Sequence, residues 1–284
     1  MLRAAIVVLC TAGVEGWAAT YGARGPPGVR PSRALAPRLA LVPPPTLLPA
    51  IGLNSAIAAT GMARGQRVLT PTGLAHAWAL GMILWTCLGW RGWSTCVLYL
   101  VGGSAVTKVR QAQKEAAGIA EGRGGARGPE NVWGSAATAA LCAVGAAASP
   151  ARAPLLTVGF VASLATKLGD TFASELGKAY GKTTYLITTL RRCPPGTEGG
   201  VSLEGTAAGV IGSLIIAVYA VAVRLVPAAA LVPCVAAAFL ANQAESLIGA
   251  AAQGRVRWLT NEVVNFANTL IGAAIAVPLF ALLV

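Results

Sequence analysis

The stretch "SLATKLGDTFASELGKAYGKTTYLITTLRRCPPGTEGGVSLEGT", from Ser163 to Thr206, decides how this chain folds. It gathers one Asp, three Glu, three Lys and two Arg between segments made largely of Ala, Val, Leu and Gly. A charged side chain in the hydrocarbon of a bilayer is costly, so such groups are rare in lipid-facing helices. The stretch therefore predicts a polar, functional connection between two membrane-spanning helices.

The composition of the whole chain is that of a protein that crosses a bilayer several times. Of its 284 residues, 55% are hydrophobic and 11% are charged, and the mean hydropathy is +0.65. A soluble domain carries about 25% charged residues. Small residues dominate the apolar segments, which suits close helix–helix packing in lipid. We therefore predict an all-α, polytopic transmembrane helical bundle that is embedded in the membrane lipid bilayer.

The net charge of +12 does not indicate a nucleic-acid partner here, because the stacking aromatics and basic helices of such proteins are missing. Basic loops at a membrane set orientation or attract anionic substrates and lipids. The six cysteines are scattered singly, so neither a zinc site nor a disulfide framework is indicated. His76 is the only histidine, which argues against a Ser-His-Asp triad. The sequence leaves a homo-oligomer open.

Residues 1–45 have the composition of targeting sequences. The first nineteen, "MLRAAIVVLCTAGVEGWAA", contain an early Arg, a short apolar run and small residues, as in a signal peptide. The next stretch, "TYGARGPPGVRPSRALAPRLALVPPP", holds four arginines and no acid, as in a transit peptide. We predict a multi-pass protein of a plastid (chloroplast) membrane, with the integral membrane domain at 46–284. The alternative is a disordered Pro-rich tail.

Eight apolar segments follow, and six to eight of them are expected to span the bilayer. They lie at about 46–62, 72–90, 92–107, 132–149, 153–168, 203–225, 228–250 and 262–284. If all eight span, one side of the membrane receives fourteen basic residues, and the other receives only Arg91, Arg152 and Arg224. The fourteen are Arg64, Arg67, Lys108, Arg110, Lys114, Arg123, Arg127, Lys167, Lys178, Lys182, Arg191, Arg192, Arg255 and Arg257. This asymmetry places the polar, active-site loops on one membrane face.

A polar stripe is predicted along a helix from Asp170 to Lys182. Asp170 and Lys178 lie two helical turns apart on this stripe, and Glu175 lies between them. Carboxylates are the oxygen ligands that Mg²⁺ takes together with nucleotide phosphates. Lys178 and Lys182 lie beyond the carboxylates, where phosphate could sit. An amphipathic interfacial helix with internal ion pairs, such as Glu175 with Lys178, explains the same pattern.

The Gly-rich loop after this helix is a candidate anion site. Successive glycines permit a backbone that presents N–H groups to an anion, and the N-terminus of the next helix is itself an anion site. Ser202 is placed to cap that helix, and Glu198 and Glu204 could carry a second metal contact. The phosphate-binding candidates of this loop are Arg191, Arg192, Gly199, Gly200, Ser202 and Glu204.

Polar residues also lie inside the apolar segments near the C-terminus. Asn261, Asn265 and Asn268 recur at helical spacing, and Glu245 follows Asn242 by one turn. Ionisable groups at membrane depth usually face a bundle interior or a cavity. We predict Glu245 as a metal ligand beside Asp170 and Glu175, whereas hydrogen bonding between helices explains the asparagines.

Four long motifs resemble one known family. They are "TKVRQAQKEAAGIAEGRGGARGPENVWGSAA", "DTFASELGKAYGKTTYLITT", "PPGTEGGVSLEGTAAG" and "NEVVNFANTLIGA". They are similar to the phytyl-phosphate kinases of plastids and cyanobacteria, within an integral-membrane family that includes the transmembrane-19 proteins. The likeness covers about residues 50–284. A looser resemblance, in the patterns D-T-x-x-S, G-K-x-Y-G-K and S-L-E-G-T, is shared with dolichol kinase, phytol kinase and phosphatidate cytidylyltransferase.

The resemblance implies transfer of a phosphoryl group from a nucleoside triphosphate, with CTP favoured, to phytyl phosphate. The phytyl diphosphate formed would serve tocopherol and phylloquinone synthesis and phytol salvage. The resemblance further implies a nucleotide–Mg²⁺ site, and it suggests phosphate contacts in the "GRGGARGPENVWG" loop. The site residues implied are Asp170, Glu175, Lys178, Lys182 and Glu204, and those of the loop are Arg123 and Arg127.

Two other functions fit the sequence. A phytol kinase or a cytidylyltransferase would share the nucleotide site, and an alcohol acceptor would require a base, for which Asp170 is placed. A transporter would use the carboxylates as an ion site, and it would often carry internal repeats with broken helices. No convincing repeat is present, and the polar groups crowd one face rather than the midplane.

Overall fold

The computed structural model of this chain describes residues 47–63, 68–253 and 256–284, all within one compact unit. The targeting prediction for residues 1–45 lies outside the described residues. Among the described residues, eight α-helices carry the fold, and two short 3-10 helices, Gly122–Gly125 and Ala228–Ala230, lie in connections. The helices are α1 Leu47–Ala63, α2 Pro71–Thr107, α3 Gln111–Ala116, α4 Pro129–Ala148, α5 Ala153–Tyr180, α6 Leu203–Ala222, α7 Leu231–Ala252 and α8 Asn261–Ala281.

Helix α2 is folded back on itself at Gly89. This residue has a φ of +68° and a ψ of −165°, which only glycine adopts readily. Residues from both ends of α2 meet Arg127: the backbone of Gly73 lies against its carbonyl, and Gly103 lies beside its guanidinium. Thirty residues of straight helix would separate those ends by about 45 Å. The 37-residue helix is therefore a hairpin of two legs, as the separate apolar segments 72–90 and 92–107 predicted.

Six of the described helical segments are long and apolar enough to cross a membrane. They are α2, α4, α5, α6, the segment Ala228–Ala252 that includes α7, and α8. With α2 counted as two legs and the shorter α1 added, they match the eight apolar segments of the sequence. The protein is thus an all-α polytopic bundle, as predicted.

The connections predicted to lie on one side meet at one end of the bundle. The strand-like residue Leu69 pairs with Arg127, and Arg110 donates a hydrogen bond to the Ala179 carbonyl at 2.9 Å. Gly199 packs on the α7 backbone, because a Cβ added at this residue would lie 2.6 Å from the carbonyl oxygen of Ser246. One prediction requires correction: Lys167 is not a loop residue, because α5 continues without a break through the apolar segment to Tyr180.

Helices α5 and α6 pack through small residues. A Cβ added at Gly205 would lie 2.7 Å from the Ala173 carbonyl, and one added at Gly209 would lie 3.2 Å from the Ala173 Cβ. A Cβ added at Gly169, on the same seam, would lie 2.9 Å from the carbonyl oxygen of Gly209. Such close backbone approach is the packing mode of membrane helices that present small residues. It fixes the polar end of α5 against the start of α6.

Gly205→Ala is expected to destabilise the bundle by about 1–3 kcal/mol, the usual cost of overpacking a well-packed core. The added Cβ meets backbone atoms of α5, which cannot rotate away. The thermal unfolding midpoint of the purified protein in detergent measures the effect. Gly52→Ala is the matched control, since nothing lies within 4 Å of a Cβ at that position. Equal unfolding midpoints for the two variants would contradict the close packing of Gly205 against α5.

The polar connection between α5 and α6 is partly a small antiparallel sheet. Its strands are β1 Thr184–Leu186, β2 Arg192–Cys193 and β3 Gly200–Val201, in the order β2-β1-β3. Thr184 pairs with Cys193, and Tyr185 pairs with both Arg192 and Val201. The sheet therefore brings the Gly-rich loop back to the end of α5.

Candidate active site

A polar cleft of about 350 Å³ opens at the end of the bundle where the basic connections meet. Its walls are the connection between α2 and α4, the start of α4, the polar end of α5, the start of α6, the middle of α7, the start of α8 and the Gly-rich loop. Nine of the residues predicted from the sequence line it. They are Arg127, Asp170, Glu175, Lys178, Glu198, Gly199, Gly200, Ser202 and Glu245.

Four other predicted site residues do not line the cleft. Lys182, Arg191 and Arg192 are exposed, because α5 ends before Gly181 and the chain leaves it as the β1–β2 hairpin. Glu204 lies in the first turn of α6, but the cleft is lined there by Gly205 and Thr206. The structure therefore places these four residues outside the cleft lining, and their assignment to a phosphate site stays a prediction. The side chain of Arg123 lies outside the described part of the chain.

Asp170, the only aspartate of the chain, is held by a buried lysine that the site prediction missed. The Nζ of Lys167 lies 2.6 Å from Oδ2 of Asp170 and 2.6 Å from Oδ1 of Asn265 on α8. Lys167 is only 7% exposed, so its buried ammonium group requires partners. The Asp170 carboxylate compensates its charge, and the Asn265 amide oxygen accepts a further hydrogen bond. An ionisable residue within an apolar segment, one turn before the aspartate, was the signal that could have found it.

Glu175 has two lysine partners. The buried Lys114 of α3 donates a short hydrogen bond to Oε2, and the Nζ of Lys178 lies 3.8 Å from Oε1. Lys114 also donates to the carbonyl of Thr107 at 2.7 Å. Glu175 therefore joins the loop after α2 to the polar end of α5, and it holds Lys178 beside the cleft. The ion pair of Glu175 with Lys178 was expected from the sequence, but the partnership with Lys114 was not.

The carboxylates of the cleft permit a Mg²⁺ ion bound with a nucleotide. Within residues 47–63, 68–253 and 256–284, no group of three or more His, Cys, Asp or Glu side chains could hold a metal alone. Mg²⁺ in nucleotide sites usually takes one or two carboxylates plus substrate phosphates and water. Glu245 lines the cleft close enough to Asp170 and Glu198 to interact electrostatically. One or two of these carboxylates, together with phosphate oxygens, fit the donor chemistry, whereas the two lysine partners of Glu175 leave it poorly suited as a ligand.

The Gly-rich loop is shaped by packing as well as by any anion. Gly199 has a φ of +74° and lies against α7, where any side chain would meet Ala250. The N–H of Gly200 donates to the Thr197 carbonyl at 2.8 Å, so it closes a turn rather than facing the cleft. Ser202 caps α6 as predicted, with Oγ accepting from the N–H of Gly205 at 3.1 Å. The start of α6, with Thr206, lines the cleft together with the Gly-rich loop.

The asparagines of α7 and α8 connect helices, as their pattern suggested. Asn265 accepts from Lys167, and Nδ2 of Asn268 lies 3.1 Å from Oδ1 of Asn242. Asn242, Asn261 and Asn265 also line the cleft. These residues therefore combine a structural role with a polar surface for a ligand.

An apolar groove joins the cleft. It lies between the two legs of α2, one side of α4 and part of α1, and Leu74, Leu84 and Val97 are among its lining. Arg127, Asn131 and Ser135 line both the groove and the cleft. The guanidinium of Arg127 donates to the Tyr99 hydroxyl at 2.7 Å and lies 5.5 Å from the centre of that ring. A fixed cation thus stands where the apolar and polar cavities meet.

Fold and cavities together define an integral membrane protein with one polar site at one end of its helical bundle. The chain belongs to the family described as integral membrane protein DUF92, whose model matches residues 54–273. It is 54% identical to the uncharacterized membrane protein sll0875 of Synechocystis over 235 residues, which cover 82% of this chain and 91% of that protein.

Two other relatives extend the comparison. The chain is 43% identical to the protein VTE6, chloroplastic, of Arabidopsis thaliana over 242 residues, which cover 82% of this chain and 72% of that protein. It is 36% identical to the uncharacterized membrane protein MJ0933 of Methanocaldococcus jannaschii over 127 residues, covering 44% of this chain and 52% of that protein. No solved structure matches the chain.

Proposed function

We propose that this protein is a phytyl-phosphate kinase, with a nucleoside triphosphate as donor and CTP favoured. The observation that carries the proposal is the junction at Arg127, where a polar cleft rich in lysines and carboxylates joins an apolar groove. A substrate with a phosphate head and an apolar tail matches both cavities. The similarity to the chloroplastic VTE6 supports a role in tocopherol synthesis and a place in a plastid membrane.

The chemistry of the acceptor suits the residues of the cleft. A phosphate monoester has a second pKa of about 6, so the acceptor is largely dianionic at neutral pH. An acceptor oxygen attacks the γ-phosphorus, the bond from that phosphorus to the β-bridging oxygen breaks, and the nucleoside diphosphate leaves. No proton has to be removed, so the reaction needs no general base. What it needs is in-line positioning and neutralisation of phosphate charge.

Six charged residues of the cleft have a role under this proposal. Arg127 binds the acceptor phosphate at the mouth of the groove, and Lys178 binds phosphate of the donor. Asp170 and Glu245 would hold Mg²⁺, which supplies charge neutralisation on the nucleotide phosphates when bound. Lys167 orients Asp170 through the 2.6 Å contact. Glu175 positions Lys178 and the loop after α2 instead of binding metal.

The proposal is tested with purified protein, phytyl phosphate and each of four nucleoside triphosphates in the presence of Mg²⁺. We expect phytyl diphosphate and the nucleoside diphosphate in equal amounts, with CTP as the best donor. Phytol is the control acceptor, and its phosphorylation should be near zero. Efficient phosphorylation of phytol would favour the prenol-kinase alternative. Release of pyrophosphate would favour a cytidylyltransferase, and absence of any product would contradict the proposal.

A further inference from the structure

We infer that the apolar groove binds the part of the isoprenoid tail that follows the phosphate, so that tails long enough to fill the groove are preferred over shorter ones. The inference rests on the proposed function and adds the part of the molecule that recognises the tail. Among the described residues, the groove is lined mainly by aliphatic and aromatic side chains of α2 and α4. Arg127 is the only charged side chain in that lining.

The mouth of the groove is built to hold a phosphate. Backbone hydrogen bonds of 3.0 Å from the N–H of Thr70 to the Arg127 carbonyl, and from the N–H of Arg127 to the Val68 carbonyl, fix the residue on both sides. Tyr99, itself only 4% exposed, fixes the guanidinium. A planar guanidinium held in this way suits a phosphate. A head group bound at Arg127 places the first atoms of its tail in the groove.

The position of each residue along α2 sets the depth that it controls. Gly103 lies beside the guanidinium of Arg127. Val97 lies six residues away along the same leg, or about 9 Å, and Trp93 lies about 15 Å away, near the fold at Gly89. The groove has a volume of about 90 Å³, so it contacts only part of a long tail and the remainder lies in lipid. Side chains around Val97 are therefore met by long tails and not by short ones.

Val97→Phe tests this dependence on tail length, because the larger ring fills the groove at half its depth. The acceptors are dimethylallyl, farnesyl and geranylgeranyl phosphate, each assayed with the wild-type donor nucleotide. We expect KM to rise about tenfold for the geranylgeranyl compound, within the range by which hydrophobic pockets discriminate. KM for the dimethylallyl compound, whose single isoprene unit ends before Val97, should be unchanged. Val101→Phe is the matched control, since Val101 lies one turn away on the same leg and is 60% exposed outside the groove.

Two outcomes separate this inference from the proposed function. If the wild-type protein transfers phosphate but Val97→Phe and Val101→Phe have the same KM as each other for all three acceptors, the inferred dependence on tail length is wrong and the kinase proposal stands. A photoreactive lipid phosphate with a diazirine in the middle of its tail gives a second readout that needs no turnover. We expect it to label the peptide that contains Val97, and phytyl phosphate, but not phosphatidylglycerol, to compete. Labelling only outside the groove, or equal competition by both lipids, would overturn the inference even if no activity were detected.

Discussion

Asp170→Asn is expected to reduce kcat/KM for phytyl phosphate by about 10²–10³, the loss typical when one group that stabilises transition-state charge is removed. The substitution keeps the shape of the side chain but removes the carboxylate that is paired with Lys167. It also removes one of the oxygen donors proposed for Mg²⁺. Initial rates across a range of Mg²⁺ concentrations and of pH measure the effect. Glu115→Gln, an exposed carboxylate outside the cleft, is the control and should leave the rate unchanged.

The form of any recovery distinguishes the role of Asp170. A lost ligand weakens Mg²⁺ binding, so raised Mg²⁺ should restore part of the activity while raised pH should not. A lost general base contributes about 10²–10⁴ through proton transfer, and high pH can offset its absence when the acceptor is an alcohol. The contrary result has two parts: the activity of the variant recovers at raised pH but not at raised Mg²⁺, and the wild type phosphorylates phytol well. In that case Asp170 is a base and the phosphate-acceptor proposal is wrong. Asp170→Glu keeps the charge and should retain more activity than the asparagine variant.

Lys114→Met is expected to lower the free energy of unfolding by about 3–5 kcal/mol, because it removes the nearest partner of a buried carboxylate. Lys114 and Glu175 are 2% and 3% exposed, and Lys178 lies farther from the carboxylate, at 3.8 Å. The midpoint of thermal unfolding in detergent checks this expectation. Lys108→Met is the control, since Lys108 is exposed in the same connection.

A double variant separates folding from function at this pair. Replacing a buried ion pair with apolar residues of similar volume is often neutral for stability. Lys114→Met combined with Glu175→Leu should therefore recover most of the lost stability. Its activity should stay low, because Lys178 has then lost the carboxylate that positions it. A double variant as active as the wild type would show that Glu175 has no positioning role.

Much of the fold could be predicted because apolar length is a local property of the sequence. Each of the eight apolar segments corresponds to a helix or to one leg of α2, and the connections rich in Lys and Arg meet at one end. The end of α5 before Gly181 and the cap at Ser202 were also predictable, since both depend on neighbouring residues. The fold of α2 at Gly89 is consistent with the sequence, but only the contacts of both its ends with Arg127 establish it.

The candidate site was predictable only where helical spacing brings its members together. The stripe of Asp170, Glu175 and Lys178 lies on one helix, so its shared face follows from the sequence. Lys114 is 61 residues from Glu175, and no local pattern reports such a pairing. Arg191 and Arg192 of the β1–β2 hairpin were assigned from their charge, and Lys182 from its charge and the family resemblance. Whether a loop side chain faces a cleft depends on where its strand turns, which only tertiary structure determines.

The fold of α2 has a consequence for how a lipid substrate travels. Both ends of the hairpin lie at the side that carries the basic connections, and Gly89 lies toward the other. Under the proposed function, phytyl phosphate enters by lateral diffusion from the leaflet on the basic side, and its charged head never crosses the hydrocarbon. The diphosphate product leaves into that same leaflet. The reactions that supply the monophosphate and consume the diphosphate are therefore expected to work on that one surface, without a flippase between them.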